Sequence, residues 1–386
     1  MADEPRPAKR VRSEVPAQAE APAPAPHAAY PFDVDNCYLT TLETKHANGC
    51  PLAVGHGYGL AFCQETGQLA QSRFEHPHTG QPGAVIMFSI ARAKKTGTPS
   101  LVMEWETHLP FCQVDLSHRD LGSTFGRSGA LAFTEDGPPL LLSADHYDRF
   151  VRVLNPADGT SLGRLAPPSG IDGPRGVSTW GSLVAVSFWK DTAPGNGGVT
   201  LFQRSGQLSW TQLWSVTATP LGVRSTFLCP QHIRLSRDGE YIAVTSDGRC
   251  DNVRMLSTKN GDTVDYWPKA LGNAWDTEEC RDGWFISCYA AGPGRPAVDF
   301  VTAQDGYCRR KSLPGNAPEG HPAFELADPL VLVMVPGLGL VGRHCVLGQD
   351  TFLYTTPDLV AMGAMSALRV AWITVVVRGV FRRARK

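Results

Sequence analysis

Leu131–Leu162, reading LAFTEDGPPLLLSADHYDRFVRVLNPADGTSL, lies without a gap over Ile233–Val264, reading IRLSRDGEYIAVTSDGRCDNVRMLSTKNGDTV, 102 positions later. Seven positions are identical: Asp136/Asp238, Gly137/Gly239, Asp145/Asp247, Val151/Val253, Arg152/Arg254, Leu154/Leu256 and Gly159/Gly261. Ten of the other 25 exchange apolar for apolar or Ser for Thr. Each copy reads as an apolar strand, an Asp-Gly turn, a second apolar strand, a polar loop, a third strand and a turn ending in Gly. That is three quarters of a propeller blade, so the repeat predicts an all-β fold, a single β-propeller built from such units.

Third strands of the same kind recur at Val85–Phe88, Val151–Leu154, Val199–Phe202, Val253–Leu256 and Val298–Val301, with starts 45 to 66 residues apart. A more degenerate unit follows from Ala323, with Leu330–Val335 read as its second strand and Leu340–Leu347 as its third. The spacing matches four-stranded blades and favours six of them, with seven as the alternative count because the gap from residue 85 to 151 has room for another.

The composition agrees. Of 386 residues, 42% are hydrophobic and 19% charged, and 39 Gly with 30 Pro suit many short turns rather than long helices. A formal net charge of -1 argues against a general electrostatic pull toward nucleic acid or an anionic membrane. Ten cysteines occur with no Cys-x-x-Cys pair, so no metal site and no redox motif is expected, and the thiols are read as reduced.

Residues 1–29 are Ala/Pro-rich and poor in large apolar side chains, which predicts a disordered tail ahead of a propeller over 30–356. The tail has no apolar signal core, so export by the usual route is not indicated. It carries the basic cluster Lys9, Arg10 and Arg12, similar to a short nuclear-import signal, so the expected location is nuclear or cytoplasmic. Thr356-Pro357-Asp358 has the order of an N-cap, a first-turn proline and an acid, predicting a helical segment over 357–386 with a basic end. Arg369 in the middle of its apolar run weighs against membrane insertion and favours a helix packed on the propeller.

The blades resemble NHL-type repeats and, less closely, WD-type repeats. The matching residues are Asp136-Gly137, Ala144-Asp145, Arg152-Val153-Leu154 and Asp158-Gly159, echoed by Asp238-Gly239, Ser246-Asp247 and Arg254-Met255-Leu256. The resemblance implies a propeller whose channel face binds a partner; it implies little about chemistry.

On the face formed by loops entering the first strands and joining second to third strands, the repeat places Asp145, His146, Asp247 and Arg249, with His232, Asp276 and His321 near first strands. His and carboxylate groups converging there suit acid–base or metal chemistry, but a recurring Asp at this position also suits a turn-capping carboxylate. No ring of Glu, Asn and Asp like that of lactonase-type propellers is found, and there is no nucleophile elbow, phosphate loop or dinucleotide fingerprint. Arg152 and Arg254 are expected at solvent or beside acids. Aromatics concentrate between Trp180 and Trp284, which suits a protein-binding face even though most should be core. The expectation is a monomeric, non-catalytic module without a cofactor that binds a protein or peptide, with a metal-dependent, lactonase-like hydrolase as the alternative.

Overall fold

The computed structural model describes residues 32–52, 54, 57–73, 83–92, 98–108, 128–145, 150–166, 173–188, 197–217, 230–246, 253–267, 273–289, 297–302, 310–314, 329–344, 351–357 and 359. The architecture is all-β and propeller-like. Four sheets are simple antiparallel meanders of four strands. The first joins β6 (Ser128–Phe133), β7 (Leu141–Asp145), β8 (Phe150–Leu154) and β9 (Ser161–Leu165). The second joins β10 (Pro174–Trp180), β11 (Leu183–Phe188), β12 (Gly198–Gly206) and β13 (Ser209–Thr217). The third holds β14 (Pro230–Leu235), β15 (Tyr241–Ser246), β16 (Val253–Ser257) and β17 (Thr263–Tyr266), and the fourth β18 (Asn273–Cys280), β19 (Gly283–Tyr289), β20 (Ala297–Val301) and β21 (Arg310–Ser312).

The remaining strands depart from the expected set of six separate blades. They form one eight-stranded sheet in the order β2-β3-β4-β5-β1-β24-β23-β22. Its members are β1 (Tyr38–Lys45), β2 (Leu60–Cys63), β3 (Gln68–Arg73), β4 (Ala84–Arg92), β5 (Pro99–His108), β22 (Pro329–Val335), β23 (Gly339–His344) and β24 (Thr351–Thr355). β1 makes the junction. It pairs antiparallel with β24, Leu39 opposite Tyr354, and parallel with β5, Thr44 opposite Leu101. Pro329–Val335 is therefore a first strand and not the second strand expected from its position, and the outermost place beside β24 is taken by a segment from the other end of the chain.

This sheet curls until its end strands β2 and β22 touch, and the first strands meet one another in the cyclic order β2, β6, β10, β14, β18, β22. Apolar clusters fill each junction. Val153, Val186 and Phe202 pack between the first and second meanders, Ile242 with Leu201 between the second and third, and Trp267 with Trp284 between the third and fourth. Leu69, Phe88, Val333 and Leu353 fill the space between the two halves of the eight-stranded sheet. Each large side chain buried this way contributes about 1.5–3 kcal/mol, so closure is carried by packing rather than by a single clasp.

A hydroxyl device repeats at the start of the first strands. The β10, β14 and β18 ladders each shift register near their first residues, which bends the strand and leaves an N–H outside the regular ladder. A Ser or Thr on the second strand accepts it: Gly176 N–H to Ser187 Oγ at 2.9 Å, His232 N–H to Thr245 Oγ1 at 3.0 Å and Asp276 N–H to Ser287 Oγ at 2.9 Å. Gly59 N–H to Ser72 Oγ at 2.7 Å repeats the bond beside β2.

The elements with described spans are all strands; Pro357 and Leu359, the described residues of the predicted C-terminal segment, are helical, with the Leu359 N–H donating to Thr356 Oγ1 at 3.4 Å, and the rest of its span lies outside the described residues. The basic cluster Lys9, Arg10 and Arg12 also lies outside them. Among the described residues no helix is long and apolar enough to cross a membrane.

Candidate functional site

Buried and half-buried charged residues gather on three adjacent first strands, beginning with Arg175 on β10. β14 carries His232 and Arg234, two residues apart, and β18 carries Asp276 and Glu278 at the same spacing, so each pair projects to one side of its strand. Arg234 Nε donates to the Thr277 carbonyl at 2.9 Å and lies 3.1 Å from Glu278 Oε2. Its Nη2 donates to the Leu332 carbonyl at 3.0 Å and to Asp276 Oδ2 at 3.4 Å. The Leu332 N–H is accepted by Asp276 Oδ2 and the Met334 N–H by Glu278 Oε1, each at 3.0 Å. A first strand has one edge outside its own ladder, and these groups satisfy the free backbone edges of β18 and β22.

The electrostatics follow from burial. Loss of water lifts the Asp276 carboxyl to about 6, against the pull of Arg234 and the N–H donors of Leu332 and Thr277. Burial raises Glu278 as well, opposed by Arg234. Arg234 is itself desolvated, yet the carboxylates of Glu278 and Asp276 hold it above its ordinary value. His232 is driven down to about 3, first by burial and then by the positive charge of Arg234 and Arg175. Its Nδ1 stands 3.7 Å from Asp276 Oδ1, and because the ring is neutral this is a polar contact rather than an ion pair.

Beside the cluster, where each first strand turns into the second, lies a cavity of about 550 Å³. Phe62, Phe133, Trp180, Leu235, Glu278 and Met334 bring one side chain from each first strand to its wall. Glu65, Glu135, Arg237 and Glu279 stand around its mouth. Glu279 Oε2 accepts the Arg237 N–H, and Glu135 Oε2 accepts the Gly181 N–H at 3.0 Å, so each acid links two neighbouring turns. The Glu279 carboxyl is lifted to about 7 by burial, with Asp238 and Glu278 adding repulsion and Arg237 opposing it.

Of the residues singled out from sequence, the structure brings His232 and Asp276 together inside the ring. Asp145 closes β7, but its side chain lies outside the described part, as do His146, Asp247, Arg249 and His321. The described cavity is at the end of the ring where first strands turn into second strands, the opposite end from that at which Asp145 closes β7. Sequence reasoning missed Arg234, Glu278 and Glu279. The available signal was charge inside strands: an Arg between Ile233 and Leu235, and the run Asp276-Thr277-Glu278-Glu279 in a β segment. Among the described residues no three His, Cys, Asp or Glu are placed to share a metal ion.

The aromatic run is mostly core. Phe188, Trp267 and Trp284 are buried, Trp180, Trp210, Trp214 and Trp275 are half-buried, and Tyr266 is exposed. Arg254 is not at solvent: it is buried with its guanidinium 4.8 Å from the Tyr266 ring centre, while Arg152 is half-buried 5.8 Å from the Phe150 ring.

No family model matches the chain, and no curated protein matches it. Solved structures do. A structural-genomics protein of unknown function from Bacteroides thetaiotaomicron VPI-5482 aligns at TM-score 0.52 and 13% identity, over 83% of this chain and 76% of that one. A gluconolactonase from Xanthomonas campestris aligns at TM-score 0.51 and 12% identity, over 87% of this chain and 99% of its own. At such identities the likeness is one of fold, and it places the chain among propeller-like proteins.

Proposed function

We propose that the protein is a non-catalytic binding module of the propeller type, engaging a protein or peptide through its central channel. The observation that carries the reading is the commitment of the channel's charged groups. Arg234, Asp276 and Glu278 spend their hydrogen bonds on one another and on the backbone of β18 and β22. A general acid or base needs a proton-transfer partner among its substrates, whereas these groups hold strands. Counting the halves of the eight-stranded sheet as joined blades gives a six-unit ring, and the repeat residues Asp136-Gly137 and Asp158-Gly159 favour the NHL type. The unit would extend over residues 30–356, act as a monomer and reside in the nucleus or cytoplasm, with Lys9, Arg10 and Arg12 directing import.

The second reading is a metal-dependent hydrolase of the lactonase kind, favoured by the likeness to the Xanthomonas gluconolactonase. Elemental analysis of the purified full chain separates the two. The binding reading expects no stoichiometric metal; one calcium or zinc per chain, lost in Asp145→Ala or Asp247→Ala without unfolding, sinks it and promotes hydrolysis. A fluorescent fusion with Lys9, Arg10 and Arg12 changed to Ala tests the location: the expected result is a shift from nucleus to cytoplasm.

A further inference from the structure

The cavity at the turn end of the ring has an uneven charge balance. Arg234 and Glu278 reach it, but each is already committed within the buried cluster. Glu65, Glu135 and Glu279 stand at the mouth with Arg237, and of these Glu135 and Arg237 have bonding partners of their own. Glu279 is the informative member. One carboxylate oxygen accepts the Arg237 N–H, while Oε1 accepts no hydrogen bond among the described residues, although the side chain is half-buried on the cavity wall. A partly desolvated carboxylate oxygen beside empty volume lacks a donor. Trp180 supplies an aromatic wall beside it, fixed in place because its indole N–H donates to the Arg237 carbonyl at 2.6 Å.

We infer that this cavity receives an ammonium or guanidinium group, with Glu279 as its principal carboxylate, Glu135 and Glu65 around the entrance and Trp180 alongside. The inference rests on the reading of the channel as a binding region and adds the end of the channel used and the chemistry accepted. A compact organic cation fits better than a metal ion, since no three candidate ligands converge among the described residues. Such a cation gains from both a carboxylate and an aromatic neighbour, a combination a hydrated metal ion does not use. The group can come from a small free amine or from a basic peptide side chain.

The entering charge also has a proton consequence. Glu279 is held near 7 by burial, with Glu278 on its own strand and Asp238 on the facing turn adding negative charge and Arg237 on that turn opposing them. Ligand binding favours the ionised carboxylate, so affinity rises with pH through that region.

Calorimetric titration of the full chain tests the idea with 1,4-diaminobutane and Gly-Lys-Gly as cationic probes, and Gly-Gln-Gly and Gly-Glu-Gly as controls. Expected is binding of at least one cationic probe, stronger at about pH 8 than at about pH 6, and weakened on the order of tenfold in Glu279→Gln. Which of the two binds identifies the source of the cation. Glu65→Gln, at an exposed turn position, should weaken it by about two- to threefold and serves if Glu279→Gln fails to fold. Cationic probes binding no better than the controls, or equal affinity in the folded variants, overturns the inference. Capture of a neutral or acidic peptide instead would leave the binding module standing and remove only the cation. Stoichiometric metal would remove the module itself.

Discussion

The Trp214 indole N–H donates to the Thr258 carbonyl oxygen at 2.6 Å, stapling the outermost strand of one meander to the last turn of the next. The Trp105 indole makes the same bond to the Pro156 carbonyl at 2.9 Å, one repeat earlier. The turns concerned end in Gly159 and Gly261, two of the identical repeat positions, and both have positive φ, 73° and 74°. A Cβ on Gly261 would come within 2.6 Å of Val216 and 3.0 Å of Trp214, and one on Gly159 within 2.7 Å of Trp105. The repeat thus keeps glycine for two reasons, the turn and the indole that packs on it.

Gly261→Ala is expected to lower stability by about 2–4 kcal/mol, combining the left-handed backbone penalty with displacement of Trp214 and Val216. Gly67→Ala is the control: its φ is 71° but nothing lies within 4 Å of the added methyl. It should cost only the backbone component, about 1–2 kcal/mol. Urea unfolding of both variants decides it, and equal losses would remove the packing argument.

Ser187→Ala leaves the Gly176 N–H without its acceptor in a fully buried position. A loss of about 1–3 kcal/mol is expected, with Ser187→Thr recovering part of it by restoring the hydroxyl. Thermal unfolding of the pair gives the answer; no difference between Ala and Thr would mean that the hydroxyl does not hold the bend.

Arg234→Met removes the cation that Asp276 and Glu278 share and strips a donor from the Thr277 and Leu332 carbonyls. Two buried carboxyls then face each other, and a loss of about 3–5 kcal/mol is expected. The triple change Arg234→Met, Asp276→Asn, Glu278→Gln should recover much of that, because no uncompensated charge remains. Denaturant titration of the single and triple variants distinguishes a charge effect from simple loss of packing.

Much of the fold was legible because blade signals are local. The third strands at Val85, Val151, Val199, Val253 and Val298 fall inside observed strands, and the repeat glycines mark observed turns. Ring closure was not legible: Leu39 opposite Tyr354 joins the two ends of the sequence, and no local pattern announces such pairing. That also explains the misreading of Pro329–Val335, which looks like any buried apolar strand whichever place it takes in its sheet. The site was half legible. His232 and Asp276 stood out as residue types, but Arg234 replaces Ala132 of the other repeat copy and so fell outside the shared pattern. Its partners became visible only once β14, β18 and β22 were side by side.

The pH dependence of stability carries opposite contributions from His232 and Glu279. His232 is depressed from 6.5 to about 3, so the unfolded chain binds its proton more readily. Its contribution is present above about pH 6.5 and is lost as pH falls toward 3, about 3 kcal/mol by pH 4.5. Glu279 is raised from 4.5 to about 7, so the folded chain binds the proton more tightly. Its contribution is present below about pH 4.5 and is lost as pH rises through 7, on the order of 3 kcal/mol at most because the group is partly exposed. Asp276, raised from 3.8 to about 6, acts in the same direction at lower pH. Between about pH 4.5 and 6.5 the His232 and Glu279 contributions run in opposite directions and nearly cancel, and Asp276 tips the balance toward acid, so the summed contribution of the three is largest near pH 4 and falls on either side. Glu279→Gln, which cannot ionise, should match the parent at about pH 5 and exceed it at about pH 8, provided that its amide keeps the Arg237 N–H bond. Melting temperatures of both proteins across this range test the sign: curves that stay parallel, or a variant that falls behind at high pH, would show that the Glu279 proton is not held by the fold.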